Sequence, residues 1–134
     1  MFPDELKARS QWICWRSEKR RGKVTKVPYI PGTIRCARSN DPSTWRTFEE
    51  AMASCRRGGF DGVSYAFSAD DGFTGIDLDH SVSDCGILEP WALQIVQELN
   101  SYAEWSPSGH GVHIIIEAEL PPRGRKRGDV EMYD

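Results

Sequence analysis

The stretch GIDLDHSVSDCG, Gly75–Gly86, decides how the rest of the chain is read. Its centre is Ile76-Asp77-Leu78-Asp79-His80. Side chains alternate across an extended strand, so Ile76 and Leu78 point one way and Asp77 and Asp79 the other. The two carboxylates then stand about 6–7 Å apart on one face. They repel each other unless a cation or an arginine lies between them. A pair of oxygen donors so placed suits a hard divalent ion, Mg²⁺ or Mn²⁺.

Two later stretches add to this pattern. VHIIIEAE, residues 112–119, reads as a strand with Val112, Ile114 and Ile116 facing inward and His113 facing out with Ile115. It follows SPSGHG, residues 106–111, a Ser/Gly loop whose backbone N–H groups and hydroxyls can approach phosphate closely. DVEMYD, residues 129–134, alternates again. Val130 and Met132 are expected in the core, and Glu131 and Tyr133 on the opposite face. Glu131 becomes a third carboxylate for the aspartate pair if the two strands are neighbours.

Further out, QWICWR (11–16) and KVTKVPYIPGT (23–33) read as strands, the second ending in a Pro31-Gly32 turn. Thr47 with Glu50 three residues on forms a capping box, so TFEEAMASCRR reads as a helix ended by Gly58-Gly59. GVSYAF (62–67) and FTGIDLD (73–79) read as the two arms of a hairpin. EPWALQIVQELN (89–100) reads as a helix with Pro90 in its first turn. A short strand around Tyr102–Trp105 follows, and LPPRGRKRG (120–128) is a basic loop. Helices interrupt strands, but short connections dominate. That predicts an α+β fold, a mostly antiparallel sheet with helices packed on one face.

The 134 residues suit one compact domain, and 39% hydrophobic residues with five Trp can build a core. The formal net charge is −3, so no global basic signal points to nucleic acid. A polyanion must be met locally, by the cluster Arg16–Lys26 or by Arg123–Arg127. The four cysteines have no C-x-x-C spacing, which argues against structural zinc. No apolar run is long enough to span a membrane, and no secretory signal opens the chain. Reduced thiols and a cytoplasmic location are the expectation.

GIDLDH, SPSGHGVH and VEMYD together resemble the three active-site motifs of the archaeo-eukaryotic primase superfamily, in its phage and plasmid primase–polymerase branch. KVPY and NDPSTWRTFEEA resemble the same branch, so the resemblance extends over nearly the whole chain. It implies an RRM-like catalytic core and template-directed nucleotidyl transfer, a DNA primase or polymerase activity assisted by Mg²⁺ or Mn²⁺. Carried over by position, Asp77, Asp79 and Glu131 hold one or two metal ions. His113 contacts the nucleoside triphosphate, and Ser106, Ser108 and Gly109 line the same pocket. Lys26 and Arg127 are candidates for phosphate or template contact. Trp45 and Trp105 are expected in the core first and as base-stacking residues second. The implied partners are single-stranded or primed DNA, nucleoside triphosphates and a replicative helicase. The whole chain, 1–134, is expected to be one catalytic domain that stops just after the third motif, where the family domain continues.

Two other readings use the same residues. One is a single-stranded nucleic-acid-binding module that kept the fold without activity. The other is a rolling-circle initiator nuclease with Tyr133 as nucleophile. It would use His110 and His113, although their i, i+3 spacing does not place both on one strand face.

Overall fold

The fold is seen in a computed structural model that describes residues 2–120 and 125–134. The chain divides into two compact units, Met1–Ala66 and Phe67–Asp134. Both are α+β and both sheets are antiparallel, as the sequence predicts.

The first unit is a three-stranded sheet in the order β2-β1-β3. Its strands are β1 (Trp12–Arg20), β2 (Lys23–Tyr29) and β3 (Gly62–Tyr65). A short helix α1 (Asp4–Lys7) and helix α2 (Phe48–Arg56) accompany it. Trp12 anchors the core: it is fully buried and its indole N–H donates to the Leu6 carbonyl at 2.9 Å. Its ring meets Phe2, Phe48 and Tyr65 edge-on. A second apolar group joins Ile13, Ile30, Ala37, Trp45 and Ala66. Trp45 is thus a core residue, as expected.

Thr47 caps α2 as the sequence predicts: its hydroxyl accepts the Glu50 N–H at 3.1 Å and lies 3.1 Å from the Glu50 carboxylate. Thr47→Ala is expected to cost about 1 kcal/mol, the usual worth of such a cap, visible as a lower melting temperature.

The second unit is a five-stranded sheet in the order β5-β6-β4-β8-β7. The strands are β4 (Phe73–Leu78), β5 (Tyr102–Trp105), β6 (Val112–Glu117), β7 (Lys126–Arg127) and β8 (Val130–Tyr133). Helix α3 (Pro90–Leu99) lies against one face. It starts on Pro90 and ends at Asn100, whose φ of +45° is left-handed. Ile76, Leu78, Val112 and Ile114 form the core with Ala92, and Ile95, Val96 and Leu99 of α3 pack onto it.

Several expectations are corrected. GVSYAF and FTGIDLD are not a hairpin: β3 pairs with β1, whereas β4 pairs with β6 and β8 in the other sheet. The link between them is shaped by buried Asp71, whose carboxylate accepts the Ser68 and Phe73 N–H groups at 3.0 and 2.8 Å. Met132 is not a core residue. It opposes Ile76 of β4, yet remains 37% exposed: among the described residues β8 is flanked on its outer side by the two-residue β7. Trp105 is likewise 61% exposed, since β5 is the edge strand. Part of the basic stretch 120–128 lies outside the described residues; Lys126 and Arg127 within it form β7 rather than loop.

Candidate active site

Strand β4 is central, so its outward residues have neighbours on both sides. Asp77 stands opposite His113 of β6 and, on the other side, opposite Glu131 of β8. His113 in turn opposes Glu104 of β5, and Glu131 opposes Lys126 of β7. One row of directly paired residues therefore crosses all five strands: Glu104, His113, Asp77, Glu131, Lys126. It lies on the face away from α3, because the alternate positions Ile76, Leu78, Val112 and Ile114 fill the helix-side core.

The contacts along this row are specific. His113 Nε2 lies 3.4 Å from Asp77 Oδ1, and its Nδ1 lies 3.7 Å from Glu104 Oε1. Glu104 is itself held by the Tyr102 hydroxyl, which donates to Oε2 at 2.8 Å. The imidazole thus sits between two carboxylates, an arrangement that fixes ring orientation. Glu131 Oε2 lies 3.7 Å from the Lys126 ammonium. The Tyr133 hydroxyl donates to Asp77 Oδ1 at 3.0 Å.

At the centre, Asp77 and Glu131 are like charges directly opposite each other, which costs stability in an antiparallel pair. Burial pushes the Asp77 carboxyl above the ordinary carboxylate range, and the charges of Asp79 and Glu131 push it further. His113 and the Tyr133 hydroxyl pull the other way. Burial and the neighbouring Asp77 raise the Tyr133 phenol. The raised phenol keeps its proton, which it donates to the Asp77 carboxylate.

Asp79 lies one residue beyond β4, where its N–H donates to the Asp129 carbonyl at 2.7 Å. That bond ties the end of β4 to the turn before β8. The neighbouring His80 takes a positive φ of 51° and places its ring 2.9 Å from the Asp129 carboxylate. The Ser/Gly loop is the β5–β6 turn. Its hydroxyls brace it: Ser106 Oγ accepts the Gly111 N–H at 3.0 Å and lies 3.0 Å from Ser108 Oγ. Gly109 takes φ +78° there. Gly111 lies so near β4 that a Cβ would stand 2.9 Å from the Leu78 carbonyl. The loop consequently abuts the end of β4, beside the aspartates.

The sequence-predicted residues Asp77, Glu131 and His113 thus share one row, with Asp79 and the Ser106–Gly111 turn at its margin. Arg127 opposes Val130, a core-side residue, so the register brings Lys126 rather than Arg127 to Glu131. Lys26 belongs to β2 of the first unit, its ammonium 4.7 Å above the Trp15 ring. Sequence reasoning missed Glu104, Tyr102 and Lys126. The period-two spacing of Tyr102 and Glu104 was available as a signal, but nothing in sequence pairs β5 with His113.

Asp77, Asp79 and Glu131 offer the hard oxygen donors a Mg²⁺ or Mn²⁺ ion takes. Among the described residues, no three Asp, Glu, His or Cys side chains converge on a common point close enough to hold an ion as they stand. Asp77 and Glu131 are instead engaged by Tyr133, His113 and Lys126. Among the described residues, no helix is long and apolar enough to cross a membrane.

No family model matches the chain. Over 113 residues, 84% of its length, it is 37% identical to a protein described as "DNA Primase-polymerase" from Nitratiruptor phage NrS-1. The aligned part is 15% of that phage protein's length. This similarity supports a primase-polymerase relationship for the chain.

Proposed function

We propose that the second unit is the nucleotidyl-transfer centre of a primase-polymerase, acting on a DNA template with nucleoside triphosphates. The observation that carries this reading is the direct opposition of Asp77 and Glu131 beside His113 on one sheet face. The sheet aligns two acids that repel, and Asp79 adds a third charge that Asp77 feels. Such a cluster is poised for a divalent cation.

In this reading Asp77, Asp79 and Glu131 hold the ion. When bound, it supplies positive charge that neutralises phosphate oxygens in the in-line transfer. The chain's own residues do the positioning, which is most of what phosphoryl transfer requires. His113, steadied by Glu104, faces the triphosphate. The Ser106–Gly111 turn presents hydroxyls and Gly109 beside it. Lys126, 3.7 Å from Glu131, can turn from it towards phosphate.

The test is nucleotide incorporation on primed and unprimed single-stranded DNA with Mn²⁺ or Mg²⁺. Incorporation abolished by Asp79→Ala supports the reading. Incorporation that survives Asp79→Ala overturns it, and so does strand cleavage with a covalent adduct at Tyr133. Strand binding with no incorporation and no response to metal would identify a binding module instead.

A further inference from the structure

The two units differ sharply in charge. Residues 1–66 carry thirteen Lys/Arg against seven Asp/Glu, a net of +6, and residues 67–134 carry four against thirteen, a net of −9. The modest −3 of the whole chain hides this division. An acidic catalytic unit repels nucleic acid unless cations intervene, whereas a basic unit attracts it.

The basic unit also contains a concave place for an anion. An open groove of about 650 Å³ runs between the loop after β2 and the end of α2. Arg16, Arg35 and Arg57 line it and no acidic residue does. Arg16 is shared with Glu18, 3.2 Å away, and with the Tyr29 hydroxyl. Arg35 and Arg57 form no ion pair among the described residues.

The loop that bears Arg35 is rigidly built. The Ile30 N–H donates to the Arg35 carbonyl at 2.9 Å, and the Arg35 N–H donates to the Thr33 hydroxyl at 3.1 Å. The Gly32 N–H donates to Ser54 Oγ of α2 at 3.0 Å, which ties the loop to the helix. Two apolar groups accompany the arginines. Ile34 at the loop tip is 89% exposed, and the Phe60 ring closes the other side against Tyr29. Cations interleaved with apolar and aromatic faces suit a strand that offers phosphate and base alternately.

We infer that this groove binds the phosphodiester backbone of a single nucleic-acid strand, with Arg35 and Arg57 on phosphates. The inference rests on the proposed function only in taking that strand as the template. The groove itself lies wholly in the other unit from the acids.

The experiment uses the full chain and a labelled oligo(dT), with binding followed by fluorescence anisotropy across a salt series. Arg35→Ala with Arg57→Ala is expected to weaken binding about tenfold. It should also flatten the log–log salt slope by about 1.4, at about 0.7 for each phosphate that is no longer neutralised. Ile34→Glu, a change at a fully solvated tip, should weaken binding as well. A control pair that removes equal charge elsewhere in the unit, Lys7→Ala with Arg38→Ala, should stay near wild type. Unchanged affinity in the groove variants overturns the inference, as does an equal weakening in the control pair. Inorganic tripolyphosphate serves as competitor. If the groove variants lose only tripolyphosphate binding and keep the strand, the groove takes free phosphate and the inference fails. Asp77→Ala with Asp79→Ala separates the two proposals: it abolishes incorporation under the proposed function and leaves oligo(dT) binding to the groove intact.

Discussion

Asp77→Asn is expected to abolish metal-dependent nucleotide incorporation and, in the same protein, to raise the melting temperature measured in chelator. Both effects follow from one carboxylate. Asp77 is half-buried, faces Glu131 directly and lies within range of Asp79. In the absence of a cation its charge is a liability, which is why its carboxyl is raised. An acid with a raised folded pKa destabilises the fold at neutral pH. That cost fades as pH falls through the raised value and is gone below the unfolded one. The melting temperature of the wild type in chelator should therefore gain on the variant's as pH drops from neutral into the mildly acidic range. The amide keeps an oxygen for the Tyr133 hydroxyl and removes the charge, so a gain of about 2–4 °C at pH 7 is the expected scale. Incorporation should fall about a thousandfold, the several kcal/mol a catalytic cation supplies. Mn²⁺ closes the argument: it should stabilise the wild type by about 2–3 kcal/mol near a hundredfold excess over its Kd, and the variant far less. Equal stabilisation of both proteins by Mn²⁺ would place the ion elsewhere.

The part of this site that sequence reveals is the part written in alternation. GIDLD, VHIII and VEMYD each state which residues share a face, and β4, β6 and β8 honour those statements at Asp77, His113 and Glu131. Alternation is silent on which strand lies beside which. Proximity in the chain pairs GVSYAF with FTGIDLD on paper. In the fold they belong to different sheets. The same silence hid Glu104 and Lys126, which reach the row only through the pairing of β5 with β6 and β7 with β8. Burial was misjudged at Met132 and Trp105 for a related reason. Apolar identity places a side chain on the core side, but position in the sheet decides whether anything covers it. The charge division between the two units was present in the composition all along. It becomes visible only once the boundary near Ala66 is known.

Gly75→Ala is the second change expected to act strongly, and it addresses how Asp77 is held. Gly75 stands directly opposite Tyr133, and the hydroxyl end of the tyrosine ring lies over it. A Cβ at residue 75 would collide with Tyr133 Cε2 and stand 2.8 Å from the hydroxyl oxygen, closer than a Cβ approaches a non-bonded atom. Phe67 packs edge-on against that ring, with centroids 5.2 Å apart, and restricts its movement. The Tyr133 ring must swing away, and its hydrogen bond to Asp77 goes with it. Overpacking of this kind costs about 1–3 kcal/mol, with a fall in melting temperature on the order of 10 °C at the upper end. The diagnostic is a double-mutant cycle: in a Tyr133→Ala background, Gly75→Ala should cost close to nothing, since the clash has no partner. Tyr133→Phe isolates the hydroxyl and leaves the ring over Gly75. If Asp77 depends on that donor for its position, Tyr133→Phe and Gly75→Ala should lower incorporation alike while differing widely in stability. If Gly75→Ala is costly even without the Tyr133 ring, the missing side chain serves the backbone of β4 and not the seating of the acid.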